Sequence, residues 1–401
     1  MPYYLKHYFM PDFNHKRLRP VPMADGNTIT HYLGYVQNVV AGQVMAECIY
    51  IDAIPTGYCA QGNLPPKKDS GVQNPPTPLG HDYPTRKNNS TSLEEEEQEY
   101  WNFLQNLDKM DHRFIYENPV FPMGPNCGRD PNNPNRIIAL ANGYGFYHDG
   151  LITIKKLLNV RQDVNFHTGN ITFVGDIVAH GDVYPGFSLA GSSLLIKGRL
   201  DGGKVKARGN VVAESGIKGS PDASIRSGLT VRVANCERAT IVTPGNLVVD
   251  GNVLHSDLFV GGSLIIKGRL QGGNTHVGGL AYIKQQLGNV QGARTRLSLG
   301  YNPLDFLDLQ EVNSMEREQE QILENLEKMA RKGPLFAKEA APGQELATRK
   351  LEVLEQMRNA RALKFTKNMK NIRNVRVIIP GMVYPGVEIT DRKSTRLNSS
   401  H

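Results

Sequence analysis

The sequence predicts a mainly β protein: a single-stranded, parallel, right-handed β-helix of about seven coils. A small N-terminal α+β or β domain precedes it and an antiparallel coiled-coil helical hairpin follows it. Three observations carry this reading. Ser193–Gly203 reads SLLIKGRLDGG and Ser263–Gly273 reads SLIIKGRLQGG, a near-copy 70 residues on. Weaker copies open at Gly175, Ser192, Gly209, Ser227, Gly245, Gly262 and Gly278, 16 to 18 residues apart. Of the 40 glycines, 24 fall between residues 164 and 300, where they punctuate short apolar runs without the strict three-residue spacing of collagen.

Residues 1–160 read as the N-terminal domain. The opening MPYYLKHYFMPDFNHKRLR has no apolar signal-peptide core, and no 18 apolar residues run together anywhere in the chain. Secretion and membrane spanning are therefore disfavoured. Residues 30–52 read as strand-rich. Of the 24 prolines, 12 lie between 55 and 134, and residues 62–91 (GNLPPKKDSGVQNPPTPLGHDYPTRKNNST) read as a disordered Pro-rich insertion. After it, Ser92-Leu93-Glu94-Glu95 has the pattern of a capping box opening a helix through Met110. Trp101, Leu104 and Leu107 would share one face, and the glutamates at 94–97 suit the positive end of its dipole.

Residues 161–300 read as the β-helix. In each copy the third position is aliphatic (Ile177, Leu194, Val211, Leu229, Leu247, Leu264, Leu280). The fifth is apolar as well (Ala179, Ile196, Ala213, Val231, Val249, Ile266, Tyr282). Alternation at period two marks a strand with one buried face. A second alternating pair precedes several copies, as at Ile171/Phe173, Val205/Ala207, Ile241/Thr243 and Leu258/Val260. A further apolar position follows at Val183, Leu200, Ile217, Val253, Leu270 and Leu287, with glycine expected at the corners for positive φ or a tight bend. A β-sandwich also uses short strands and Gly turns, but near-constant spacing with stacked aliphatics favours coils.

Residues 301–373 read as the hairpin. Apolar residues recur at 309, 312, 315, 322, 326 and 329; a turn follows at Gly333-Pro334, with a loop through Pro342-Gly343. A second helix over 344–373 would carry Ala347, Leu351, Leu354 and Met357 as its stripe. The first helix has six Glu against four Lys/Arg and the second three Glu against eight, so the two attract. Arg358, Arg361, Lys364, Lys367, Lys370 and Arg373 stand three apart. The first five are the candidate interaction residues: a basic surface for nucleic acid or an anionic membrane, or solvated charges partly paired with the acidic helix. A spacing of three lags the helical turn, and no aromatic stacking platform accompanies them, which favours pairing. Residues 374–390 (from NVRVIIPGMVYPGVEIT) are β-rich again; VYPGV at 383–387 echoes VYPGF at 183–187, so the chain is expected to return and add strand to the rod. The last residues, 391–401 (DRKSTRLNSSH), read as a translated adapter or vector remnant. Without their three basic and one acidic residues the formal charge of +7 falls to +5, a weak pointer to an acidic partner.

No motif announces chemistry. Gly202-Gly203-Lys204 lacks the spacing of a P-loop, and GxSxG, HExxH and EF-hand patterns are absent. Four cysteines (48, 59, 127, 236) lie far apart with no CxxC, which suits a reducing cytoplasm and signals neither a zinc site nor a disulfide framework. Gly169, Gly175 and Gly181 briefly keep the six-residue period of acyltransferase β-helices, then the period lapses. His167, His180, His255 and His276 are candidate bases for such an enzyme, and Asp176, Asp182 and Asp250 for a carbohydrate-active one; surface or corner polarity explains them more simply.

Taken as phrases, LLNVRQDVNFHTGNITFVGDIVAHGDVYPGF (157–187), GRLDGG, GRLQGG and LHSDLFVGGSLIIKGRLQGG (254–273) resemble the bacterial flagellar assembly protein A family. GPNCGRDPNNPNRIIALANGYGFYHDGLITIK (124–155) is similar to part of that family's N-terminal region. The coil architecture also resembles that of the division inhibitor MinC and of polymer-forming bactofilins. The resemblance implies a cytoplasmic bacterial scaffold without catalytic residues, cofactor or metal, tied to polar flagellar assembly through protein partners. Self-association through the coil ends or the coiled coil is a further expectation. A β-helix enzyme acting on carbohydrate or an acyl donor, and an anionic-surface binder, are the alternatives.

Overall fold

The computed structural model describes residues 3–13, 18, 21–22, 28–29, 33–50, 112–116, 121–219, 223–369, 375–390 and 395–397. The Pro-rich insertion at 62–91 and the helix expected from Ser92 to Met110 lie outside these residues. The chain divides into two compact units. One comprises Met1–Val21, Gly34–Leu158 and Phe173–Asp176; the other holds the remaining segments from Pro22 through His401.

The first unit is built on an antiparallel sheet. Its five strands run in the order Ile115–Tyr116, Tyr3–His7, Val44–Tyr50, Arg136–Ala139, Cys127–Arg129. A three-stranded sheet of Leu151–Lys155, Gly143–His148 and Asn38–Val39 accompanies it. Alternation dictates the core: in the strand Leu151–Lys155, Ile152 and Ile154 point inward beside Tyr3, Leu5, Met45 and Ile137.

The second unit is a parallel β-solenoid. Three sheets run along it. The first stacks nine strands from Leu157–Val160 to Arg376–Ile378. The second stacks nine from Ile171–Thr172 to Val387–Thr390, and a tenth, Thr395–Leu397, joins it antiparallel. The third has seven, from Leu200–Asp201 to Met382–Val383, and the bridges Val164–Val183 and Val183–Leu200 extend it. Seven of the nine strands in the first sheet are the copies counted in the sequence; Leu157–Val160 precedes them, and the ninth is added because the chain does return at its end. Arg376–Ile378 pairs with Leu280–Tyr282, Met382–Val383 with Gln286–Leu287, and Val387–Thr390 with Thr295–Ser298. The echoed YPG turns are alike as well: Gly186 and Gly386 take φ of 82° and 79°, the left-handed position that follows proline in a type II turn.

The first and second sheets each send two columns inward, and the third sends one. In the first, Ile177, Leu194, Val211, Val231, Leu247, Leu264 and Ala281 stack in register. Three positions expected inside are outside. Leu229 is exposed and Val231 takes its place, because the coil from Val211 to Val231 is 20 residues long. Leu280 and Tyr282 face outward because Ala281 aligns with Leu264; a shift of one residue turns a strand over. Corner glycines serve mainly close approach and less often positive φ: a Cβ on Gly198 or Gly245 would strike the carbonyl of Gly181 or Leu229 in the preceding coil. Corner side chains join the ladder too. Asp182, Asn235, Asn246 and Asn252 accept backbone N–H bonds from Arg199, Asn252, Ser263 and Arg269, one coil on, at 2.7–3.2 Å.

Two helices are inserted between the eighth and ninth coils: α1, Pro303–Ala330, and α2, Pro334–Met369. Asn302 caps α1 by accepting the Leu304 N–H at 3.1 Å, with Pro303 at the first turn and Asp305 near the positive dipole end. The loop expected through Pro342-Gly343 is helix instead. Pro342 forgoes one backbone bond, but Ala340 and Ala347 on either side are buried, and that packing carries the helix through.

Candidate interaction surfaces

The hairpin is fastened at its root. The outer face of the second sheet carries Lys206 and Arg226 in its middle coils, then Val242 and Phe259 in the same column. Those two are 4% and 7% exposed although they point away from the solenoid interior, since α1 lies over this part of the sheet. Phe259 stacks on His276, with centroids 4.9 Å apart, and His276 hydrogen-bonds the Tyr301 hydroxyl through Nδ1. Phe306 and Phe365 close the cluster, 5.3 and 5.7 Å from the Tyr301 ring. Burial pushes the His276 imidazole down to about 4, against a weaker pull upward from Asp257. Farther along α1, Glu311 pairs with Arg226 at 2.8 Å.

Facing positions repeat in sevens along the seam between the helices. On α1 the inward set runs Asp305, Leu309, Val312, Glu316, Gln319, Leu323, Leu326; on α2 it includes Ala340, Ala347, Leu351, Leu354, Arg358, Arg361 and Phe365. The root half is polar. Asp305, 2% exposed, accepts from Lys364 at 2.7 Å, Asn302 at 2.9 Å and Asn368 at 2.6 Å. Burial alone would raise its carboxyl; the bonds from Asn368 and Lys364, with the lysine's charge, more than offset this and hold it below the ordinary range. Arg358 grips both carboxylate oxygens of Glu316 at 2.8 and 3.0 Å, and Arg361 donates to the Asp308 carbonyl at 3.1 Å. Three of the five candidate basic residues thus hold the acidic helix. Lys367 is exposed, and Lys370 lies outside the described residues, as does Arg373.

Because Glu316 occupies a seam position, the apolar residues beside it are turned out. Met315 and Ile322, expected on the buried stripe, are exposed, and so is Met357, displaced by Arg358. With Val353 and Leu354, Met315 and Ile322 border a groove of about 620 Å³ running between the helices, rimmed by Glu318, Arg349 and Lys350. A second apolar surface lies on the first sheet's outer face. There Val178, Leu195, Val212, Val248, Ile265 and Tyr282 stand in one registered column, half-buried and broken only by Arg232.

The polar residues weighed for chemistry are not brought together. His167, His180 and His255 are exposed and lie on separate strands or corners, and His276 belongs to the hairpin root. Asp182 is part of the corner ladder. Asp250 binds Arg232 and Lys267 on the coils either side at 2.8 and 2.7 Å; the bond from Arg232, then that from Lys267, lowers its carboxyl. Sequence reasoning missed Asp305, Glu316, Phe259 and Tyr301. One signal was available for Phe259: TIVT and DLFV lose the polar alternation of KVKA and SIRS, as strands covered on both faces do.

Residues 156–401 match the family model described as the Flagellar Assembly Protein A beta solenoid domain. The chain belongs to the Flagellar Assembly Protein A family. Neither the curated proteins nor the solved structures give a match. The match spans the whole solenoid of this family member, the inserted hairpin and the returning coil, so the helices interrupt the family domain from within. No helix among the described residues is long and apolar enough to cross a membrane.

Proposed function

We propose that this protein is a non-enzymatic scaffold of polar flagellar assembly, acting in the cytoplasm through protein–protein contacts of its solenoid and hairpin. The observation that carries the reading is the hairpin itself. Seventy-odd residues are inserted at a corner that other coils turn in a few, yet much of the apolar surface they present is left outside the seam. An insertion selected only to stabilise the rod would bury that surface. The unpaired thiols of Cys48, Cys127 and Cys236 are consistent with a reducing compartment.

The test replaces residues 301–374 with a Gly-Gly-Ser corner of the kind at 261–263 and recovers partners from cells that build a polar flagellum. The expected result is a folded solenoid, with its β circular dichroism retained, that no longer recovers flagellar assembly factors. Undiminished recovery by the shortened chain would overturn the hairpin's role.

A further inference from the structure

The groove between the helices has a shape and charge pattern that match a second copy of itself. Its floor is apolar and open: Met315, Ile322 and Val353 are 53%, 43% and 56% exposed, and Leu346 extends the strip at 55%. A two-helix layer with one face fastened at its own seam and a second apolar strip along its flank is half of a four-helix bundle. Two identical layers can pack face to face about either of two kinds of two-fold axis. An axis across the helices sets α1 on the partner's α1, bringing Glu318 toward its own copy. An axis parallel to the helices instead sets α1 antiparallel on the partner's α2, at the same height along the bundle.

Charge chooses between them. Glu318 and Lys350 line the same groove from opposite walls, so the parallel axis brings each Glu318 onto the wall that carries the other copy's Lys350, about five residues along it and within reach of the two long side chains. The wider balance agrees: residues 309–332 carry six Glu against four Lys/Arg, and residues 344–373 carry three against eight. Like-helix packing would oppose charges of one sign, whereas α1 on the partner's α2 opposes unlike ones.

We infer that the groove is a self-association surface, on which two copies of this chain pair their hairpins into an antiparallel four-helix bundle, α1 of each against α2 of the other. The inference goes beyond the scaffold reading and needs no flagellar partner, so the two fail separately.

The experiment is sedimentation velocity on the full chain over a range of concentrations. The native chain is expected to form a dimer. Ile322→Glu with Val353→Glu, both at exposed positions, is expected to give a monomer of unchanged helical content. Glu318→Lys and Lys350→Glu should each weaken the dimer by at least about tenfold, since like charges then face one another in either homodimer. An equimolar mixture of those two variants should recover it, because both cross-copy pairs are then opposite in sign. A native chain that stays monomeric throughout overturns the inference and leaves the groove to a different protein. A dimer that survives the double glutamate variant, or a mixture that fails to recover association, overturns it equally.

Discussion

The solenoid interior and the hairpin seam are both built by repetition, and they use it differently. Inside the solenoid each coil buries the same columns, so Leu264 meets Leu247 below and Ala281 above, and backbone bonds join every step. Any coil is held mostly by its neighbours. The seam changes character along its length. Toward the root it is a charge clasp of Asp305, Asp308 and Glu316 with Lys364, Arg361 and Arg358; toward the tip it is Leu323, Leu326, Ala340 and Ala347. Uniform stacking makes a rigid support. A graded seam fixes one end of an insertion to that support and leaves a flank open to partners.

Three perturbations break or sharpen this contrast. The largest effect is expected inside the rod. Leu264 is fully buried, and Leu264→Ala should cost about 3 kcal/mol in urea denaturation followed by circular dichroism, from lost transfer free energy plus a cavity between two coils. A change well under 1 kcal/mol would mean the coils relax around the gap and are not rigidly stacked.

Acid should act on the root before the rod. His276 stands at about 4 in the folded chain against an ordinary 6.5, so the unfolded chain takes up the proton first. Its contribution is complete above pH 6.5 and is lost as pH falls toward 4. For this partly exposed ring the loss is about 2 kcal/mol after allowance for solvent. The protection factor against hydrogen exchange at the start of α1, corrected for the intrinsic rate at each pH, should fall across that window in the native chain and stay flat in His276→Gln. Equal pH dependence in both would remove His276 from the root.

The smallest effect has the opposite sign. Thr275 is buried in the inward column between Leu258 and Leu297, and its hydroxyl has no hydrogen-bond partner among the described residues. Thr275→Val should raise stability by about 1 kcal/mol, read from the same denaturation midpoint. Destabilisation would show that the hydroxyl is satisfied within the rod.

Much of the fold was legible because its physics is local and repeated. A coil needs an apolar residue at fixed intervals and a corner that lets backbones approach, and both leave marks in the sequence at Ile177, Leu194, Leu247 and Gly198. Legibility failed where period and register part company. Leu229 has the right residue type, but three extra residues in its coil carry Val231 into the column instead. The candidate surface was less legible still. The basic run from Arg358 was visible, but whether those charges meet solvent or Glu316, Asp308 and Asp305 depends on the rotation of one helix against another. Rotation of that kind is settled by packing of both helices at once, which no single segment encodes.

What the sequence by itself determined is the rod: its inward columns, its corners, and the return of the chain to complete it, since each follows from spacing and residue type within one coil. Only the tertiary structure decided where the hairpin lies and which of its faces remains open. Phe259 and His276 belong to the solenoid, Tyr301 and Phe306 to the insertion, and Phe365 to its far arm. They become one cluster only when segments about a hundred residues apart in the chain are folded together, because side-chain packing is a property of neighbours in space.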